Sequence, residues 1–181
     1  MKKMLFILGQ LSDQDVDWLA RVGRREVISG GQTIIDQGAP ARALFLVLSG
    51  RFAVEIKGAA EPVAFMETGE VAGEMSFIDA RPPSATVRAT QSSTVLAVPT
   101  DLLRSQLQSQ PAFAARFYLA IATLLSDRLR QMGSHDDATP DDLDEDVFGD
   151  DELDPGVLSG ISLAGERFAR ILRRFESGDS A

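Results

Sequence analysis

Between Gly73 and Ala89 the chain reads GEMSFIDARPPSATVRA, and its small, hydroxyl and carboxylate residues are spaced as an anion cradle would need them. Gly73 and Glu74 open a helix-like patch that continues through Met75 and Ser76, and Ser84, Ala85 and Thr86 open a strand of small and hydroxyl side chains. Helix starts and bared backbone N–H groups attract phosphate. The turn between them carries Pro82 and Pro83, which bring neither a charge nor a backbone donor.

Other chemistries are scarce. The 181 residues include no cysteine and one histidine, His135, which excludes disulfides, thiolate zinc sites, cysteine nucleophiles and, in practice, histidine triads. Asp36, Glu55, Glu67, Glu70 and Asp79 are scattered at expected strand ends and turns, and no nucleophile with an adjacent base is found. The expectation is a protein that binds and does not catalyse.

The elements that must position the Gly73–Ala89 stretch follow from periodicity. LSDQDVDWLARVG (11–23) predicts a short amphipathic helix with Ser12 as N-cap, Asp13 and Asp15 in the first turn and an end at Gly23; Trp18 packs it on the body. From residue 26 come brief β-prone runs with glycine punctuation: EVIS, TIIDQ, ALFLVLSG, RFAVEIK, PVAFMET, and later SATVRA and STVLAV. Such a series predicts a mainly β domain, an antiparallel sandwich or barrel with flanking helices. In RFAVEIK, Phe52, Val54 and Ile56 share one face and Arg51, Glu55 and Lys57 the other, as a half-exposed strand requires. Past Pro99, Thr100 is placed to cap a helix over DLLRSQLQ, and Pro111 to begin a longer one. Phe113, Phe117, Ile121, Leu124, Leu125 and Leu129 give that second helix an apolar stripe too rich for solvent. It predicts packing on the β body and a homodimer through the helix after Pro111.

The net charge of −9 is concentrated in residues 135–154, which hold eleven acids and no lysine or arginine. A run of this kind repels itself and nucleic acid alike, predicting an acidic flexible linker over 134–155. Beyond it, residues 156–176 predict an amphipathic helix with Leu158, Ile161, Ala164, Phe168, Ile171, Leu172 and Phe175 at helical intervals and Arg167, Arg170, Arg173 and Arg174 among them. It docks on its own domain, on a partner protein or on a membrane surface. The opening MKKMLFILGQLSDQD is cut short by Gly9 and Gln10 before it reaches the length of a signal-peptide core, and no later run has transmembrane length, so a cytoplasmic protein is expected.

Together, GGQTIIDQGAPARALFLVLSGRFAV and VAGEMSFIDARPPSATVRA, in this order and followed by a helix from Pro111, resemble the cyclic nucleotide-binding domain family over about residues 5–133. The resemblance implies a catabolite-activator-like antiparallel β-roll, or jelly roll, with an N-terminal helix and C-terminal helices. The implied ligand is a cyclic nucleotide: cAMP, cGMP or a cyclic dinucleotide. Its contacts would come from Gly73, Glu74, Met75, Ser76, Pro83, Ser84, Ala85 and Thr86, with Glu74 matching the carboxylate that the family turns to the ribose 2′-hydroxyl. In the family an arginine about nine residues after that glutamate pairs with the cyclic phosphate; here the position is Pro83, so the cassette is degenerate. Losing one partner of a buried charge pair costs ~3–5 kcal/mol, a hundredfold or more in affinity. Arg81 and Arg88 lie near enough in sequence to substitute, against the alternative that each is an ordinary surface arginine.

Two functions of different kinds follow. One is a regulatory module that senses a nucleotide-type ligand and relays it through its C-terminal helices; the other is a ligand-free domain for docking or assembly. Direct DNA binding is not expected, because the residues after 132 hold an acidic run and a single amphipathic helix with no recognition helix.

Overall fold

The computed structural model describes residues 3–136 and 155–176. Two helices lead: α1, Lys3–Gln10, and α2, Asp13–Val22. Ser12 caps α2 in a reciprocal box, its hydroxyl accepting the Asp15 N–H while the Asp15 carboxylate accepts the Ser12 N–H at 2.7 Å. Helix α1 was not legible as an element of its own; its apolar residues read as a brief hydrophobic start.

Eight strands and a short helix follow: β1, Arg24–Ile28; β2, Thr33–Ile35; β3, Ala43–Ser49; β4, Arg51–Glu55; β5, Ala64–Glu67; β6, Val71–Ala72; α3, Glu74–Asp79; β7, Thr86–Ala89; and β8, Ser93–Pro99. They form two four-stranded antiparallel sheets in the orders β1-β8-β3-β6 and β2-β7-β4-β5. This is the predicted β-roll. The tight turn at Gly50 between β3 and β4 requires glycine twice over: φ is 94°, and a Cβ would lie 2.1 Å from the Ser93 hydroxyl oxygen. That hydroxyl accepts the Arg51 N–H at 3.1 Å and stitches the turn to the start of β8.

Strands β3 and β8 are buried on both faces. Leu44, Leu46, Leu48, Leu96 and Val98 face a core built with the helices, whereas Ala43, Phe45, Val47, Val95 and Ala97 face a second core between the sheets with Phe52, Met66 and Val87. In β4, Phe52 and Ala53 are both buried, and Ile56 lies past the strand end and is 41% exposed. The alternation expected of RFAVEIK therefore holds only in part: Phe52 enters the inter-sheet core, but its neighbour Ala53 is buried as well.

Two helices close the roll, α4, Thr100–Ser109, and α5, Pro111–Asp136. Thr100 does not cap α4: Pro99 holds the cap position, and the Thr100 hydroxyl donates instead to the Arg42 carbonyl at 3.1 Å. Pro111 is the first residue of α5, as its missing N–H favours. Phe113, Phe117, Ile121 and Leu124 are buried in the chain's own helical core, while Leu129 is 69% exposed. The stripe from which a dimer was expected is thus largely consumed within one copy. Helix α6, Pro155–Glu176, lies along α1 and touches α2. The expected linker lies outside the described residues except for 134–136, which belong to α5, and Pro155, which begins α6.

The first turn of α2 ties the helices together. Arg116 of α5 grips Asp15 with both arms of its guanidinium, at 2.7 and 3.0 Å. Burial pushes the Asp15 carboxyl up, but the Arg116 and Ser12 hydrogen bonds outweigh it and hold the group below the ordinary 3.8. The hydrogen bond from Arg167 of α6 likewise lowers Asp13.

Candidate functional site

The backbone arrives at the site from β6. Gly73 sits at φ 91°, where a side chain is strained, and an added Cβ would stand 3.0 Å from the Ala43 carbonyl oxygen. This left-handed turn swings the chain directly into α3 and sets Glu74 at its first position, 2% exposed. Ala80, at φ 58°, ends the helix, and its neighbour Arg81 folds back onto Asp79 through its N–H at 3.0 Å. The chain then passes the two prolines, and the Pro83 carbonyl accepts the Gly38 N–H at 2.9 Å, which pins the turn to the β2–β3 connection.

These pieces frame a small open cleft with a cavity volume of about 120 Å³, below the ~300–1,000 Å³ of typical drug-sized sites. Gly73, Glu74, Met75, Ser76, Pro83, Ser84 and Ala85 line one side, and Ile35, Val54, Met66, Val71, Ala72 and Val87 from five strands line the other. Seven of the eight site residues expected from sequence therefore meet around one space. Thr86 does not. Its hydroxyl accepts the Gln37 N–H at 3.1 Å, and it faces a separate, more polar cleft with Asp36, Glu55 and Lys57. Ile35, Val54 and Met66 of the far wall were missed because they come from strands distant in sequence, whereas Val71, Ala72 and Val87 flank the cassette itself.

The charge of the cleft is its chemical signature. Among the described residues, no lysine or arginine lines it, and its single ionisable group is the carboxylate of Glu74. Neither neighbouring arginine replaces the missing one. Arg81, 84% exposed, pairs with Asp79 at 3.9 Å. Arg88 donates to Glu55 at 3.1 Å and to the Gly31 carbonyl at 3.0 Å. What the site offers is an apolar slot, a buried acid and two serines. That suits a flat ring system and a hydroxyl donor but leaves a phosphate without a counter-charge.

Helix α3, which carries Glu74, Met75 and Ser76 of the cleft, is tied to the closing helices. Phe77 of α3 meets Phe117 of α5 edge to face, with ring centroids 5.8 Å apart, and Arg104 of α4 donates to the Phe77 carbonyl at 2.9 Å with its guanidinium over the Phe77 ring. Helix α3 is thus in direct contact with both α4 and α5.

A two-sheet roll interrupted by a glycine-led short helix and a turn lining one cleft defines a class of small-ligand-binding domains. Residues 25–110 match the model of the cyclic nucleotide-binding domain, and this segment belongs to that family. The cyclic AMP receptor protein of Thermus thermophilus is 30% identical over 124 residues, covering 67% of this chain and 56% of that protein. Uncharacterized NTE family proteins of Mycobacterium tuberculosis are 27% identical over 119 residues, 66% of this chain; the chain spans only 20% of their length. Among solved structures, a cyclic nucleotide-binding domain from Methylobacillus flagellatus superposes with a TM-score of 0.65 at 22% identity, over 74% of this chain and 80% of that one. The catabolite activator protein of Thermus thermophilus does so at 0.60 and 21%, over 95% and 87%. At these identities the structures establish the fold alone. Among the described residues, no helix is long and apolar enough to cross a membrane.

Proposed function

We propose that the chain is a cytoplasmic regulatory module that senses a nucleotide-type ligand in the Gly73–Ala85 cleft and relays its presence through α3 to the C-terminal helices, without catalysis. The observation that carries this reading is the juxtaposition of a buried Glu74 with an apolar slot, on a short helix whose Phe77 packs on α5. In it, Gly73 supplies the turn, Glu74 accepts a ribose hydroxyl, Met75 and the strand residues hold the base, and Ser76 and Ser84 serve the sugar or phosphate edge. Without a basic residue in the cleft, the phosphate contributes little to affinity, and ligands that rely less on it gain relative to cAMP and cGMP.

The test is a thermal-shift panel of cAMP, cGMP, cyclic dinucleotides and adenosine on the full chain. A compound present at about a hundred times its Kd stabilises the fold by ~2.7 kcal/mol, and Glu74→Ala is expected to abolish that shift. A flat panel favours the second reading, a ligand-free docking or assembly module, which the lack of a basic residue in the cleft supports.

A homodimer belongs to the same proposal, through a different face of α5 from the one expected. Tyr118 and Leu119 are 49% and 55% exposed and lie on the outward side of α5, away from the buried Phe117 and Ile121. Leu119→Glu is expected to shift a dimer to a monomer by light scattering at micromolar concentration; a wild-type monomer ends the idea.

A further inference from the structure

Arg167 is a buried charge that ligand sensing does not use. Its side chain is 8% exposed. Nε donates to the Asp13 carboxylate at 2.8 Å, and Nη1 donates to the Leu8 and Gly9 carbonyls at 2.8 and 3.3 Å. Those carbonyls belong to the last turn of α1, which has no N–H groups of its own left to satisfy them and carries the negative end of the helix dipole. Asp13 is the first residue of α2. One planar guanidinium thus closes the end of one helix and the start of the next, which a point-charge ammonium cannot do in two directions at once.

Around this contact the fit is apolar and graded. Ala164 and Ile171 are fully buried with Ile7, Leu8 and Leu11, and Phe168 and Leu172 pack against the same cluster. At the rim Arg170 lies 3.6 Å from Asp13 and 4.0 Å from Asp17. Helix α6 joins neither sheet and packs chiefly on α1 and α2.

The geometry points to the α1–α2 corner as a docking socket that reads an arginine set between apolar residues on a basic amphipathic helix, with α6 as its resident and exchangeable occupant. Leaving the socket breaks one buried ion pair, two carbonyl bonds and one apolar stripe, while both sheets stay intact; local units of this kind open below the global unfolding energy. Because it belongs to the same chain, the resident helix has an effective concentration on the order of millimolar, so a competitor enters when the resident is weakened. The α6 of a second copy carries the same residues and fits with no new complementarity, the condition for segment exchange between copies. The inference stands whether or not the cleft takes a ligand.

The test uses a fluorescent peptide of residues 155–176 and the full chain, read by anisotropy. The chain carrying Arg167→Ala is expected to bind the native peptide at least about tenfold more tightly than the unaltered chain does, because its own helix competes less. A peptide carrying Arg167→Lys is expected to bind that chain at least about tenfold more weakly than the native peptide. Equal binding to both chains, indifference to the lysine change, or no binding at all overturns the proposal. Should Arg167→Ala fail to fold by circular dichroism, hydrogen exchange on the unaltered chain decides. The amides of 163–173 are expected to exchange together and at least about tenfold faster than those of 113–124; equal protection makes α6 a fixed part of the core and removes the socket.

Discussion

Phe117→Ala is expected to destabilise the chain by about 3–5 kcal/mol, the usual cost of deleting a fully buried aromatic side chain. Phe117 has no exposed surface, and its ring meets Phe77 at 5.8 Å and Phe113 at 5.9 Å. Its loss empties the junction of α3, α5 and the helical face of the sheet, so the denaturant midpoint followed by circular dichroism should fall steeply. Tyr118→Ala, one residue along and half exposed, should stay within about 0.5 kcal/mol of the parent if the chain is monomeric. A loss for Phe117→Ala of under about 1 kcal/mol would mean that α5 is not packed as described. In a sufficiently stabilised background the same variant should also weaken any response of α5 to the cleft, because Phe77 would lose its ring contact with α5.

Pro83→Arg is expected to raise affinity for cAMP at least about tenfold, the scale of one charge-assisted contact. Pro83 lines the same cleft as Glu74, and its carbonyl is fixed to Gly38, so an arginine there starts from a pinned backbone. Glu74→Ala in that background should remove the gain, since the sugar would lose its acceptor. Calorimetry that gives no heat for Pro83→Arg would show the slot to be closed to nucleotides by more than one side chain, and would favour the docking reading.

The roll was largely legible because its strands are short and separated by glycines that only a turn explains. Strand β6 escaped because Val71 and Ala72 are two residues between Gly69 and Gly73 and make no periodic signal. Helix α1 escaped for a different reason: Ile7 and Leu8 are buried against α6, and a short helix whose partner lies some 150 residues later leaves little local trace. The stripe on α5 was read correctly as buried, but whether the roll or a second copy covers it was left open, because periodicity reveals that a face is covered and not by what. In the cleft, the contiguous cassette residues were found together, whereas Ile35, Val54 and Met66 converge only through sheet pairing. Thr86 was counted in because the small-residue run was treated as one unit; the strand alternation at Ala85 turns its hydroxyl to the other side. The terminal helix was expected on its own domain, on a partner or on a membrane surface, and it lies on the two leading helices of its own chain, where Asp13 and Asp17 meet its arginines.

Strands β3 and β8, covered on both faces, have a consequence for how the molecule comes apart. Each residue step along them serves the two interiors in turn, Leu46 and Leu96 one, Val47 and Val95 the other. Neither interior can be dissolved while its neighbour stays whole, because the partition between them is made of the same two ribbons. The roll and the helices beneath it, the exchangeable α6 apart, are therefore a single thermodynamic unit that melts in one transition, and the roll excised without its helices would expose a row of leucines along its central strands and precipitate rather than fold.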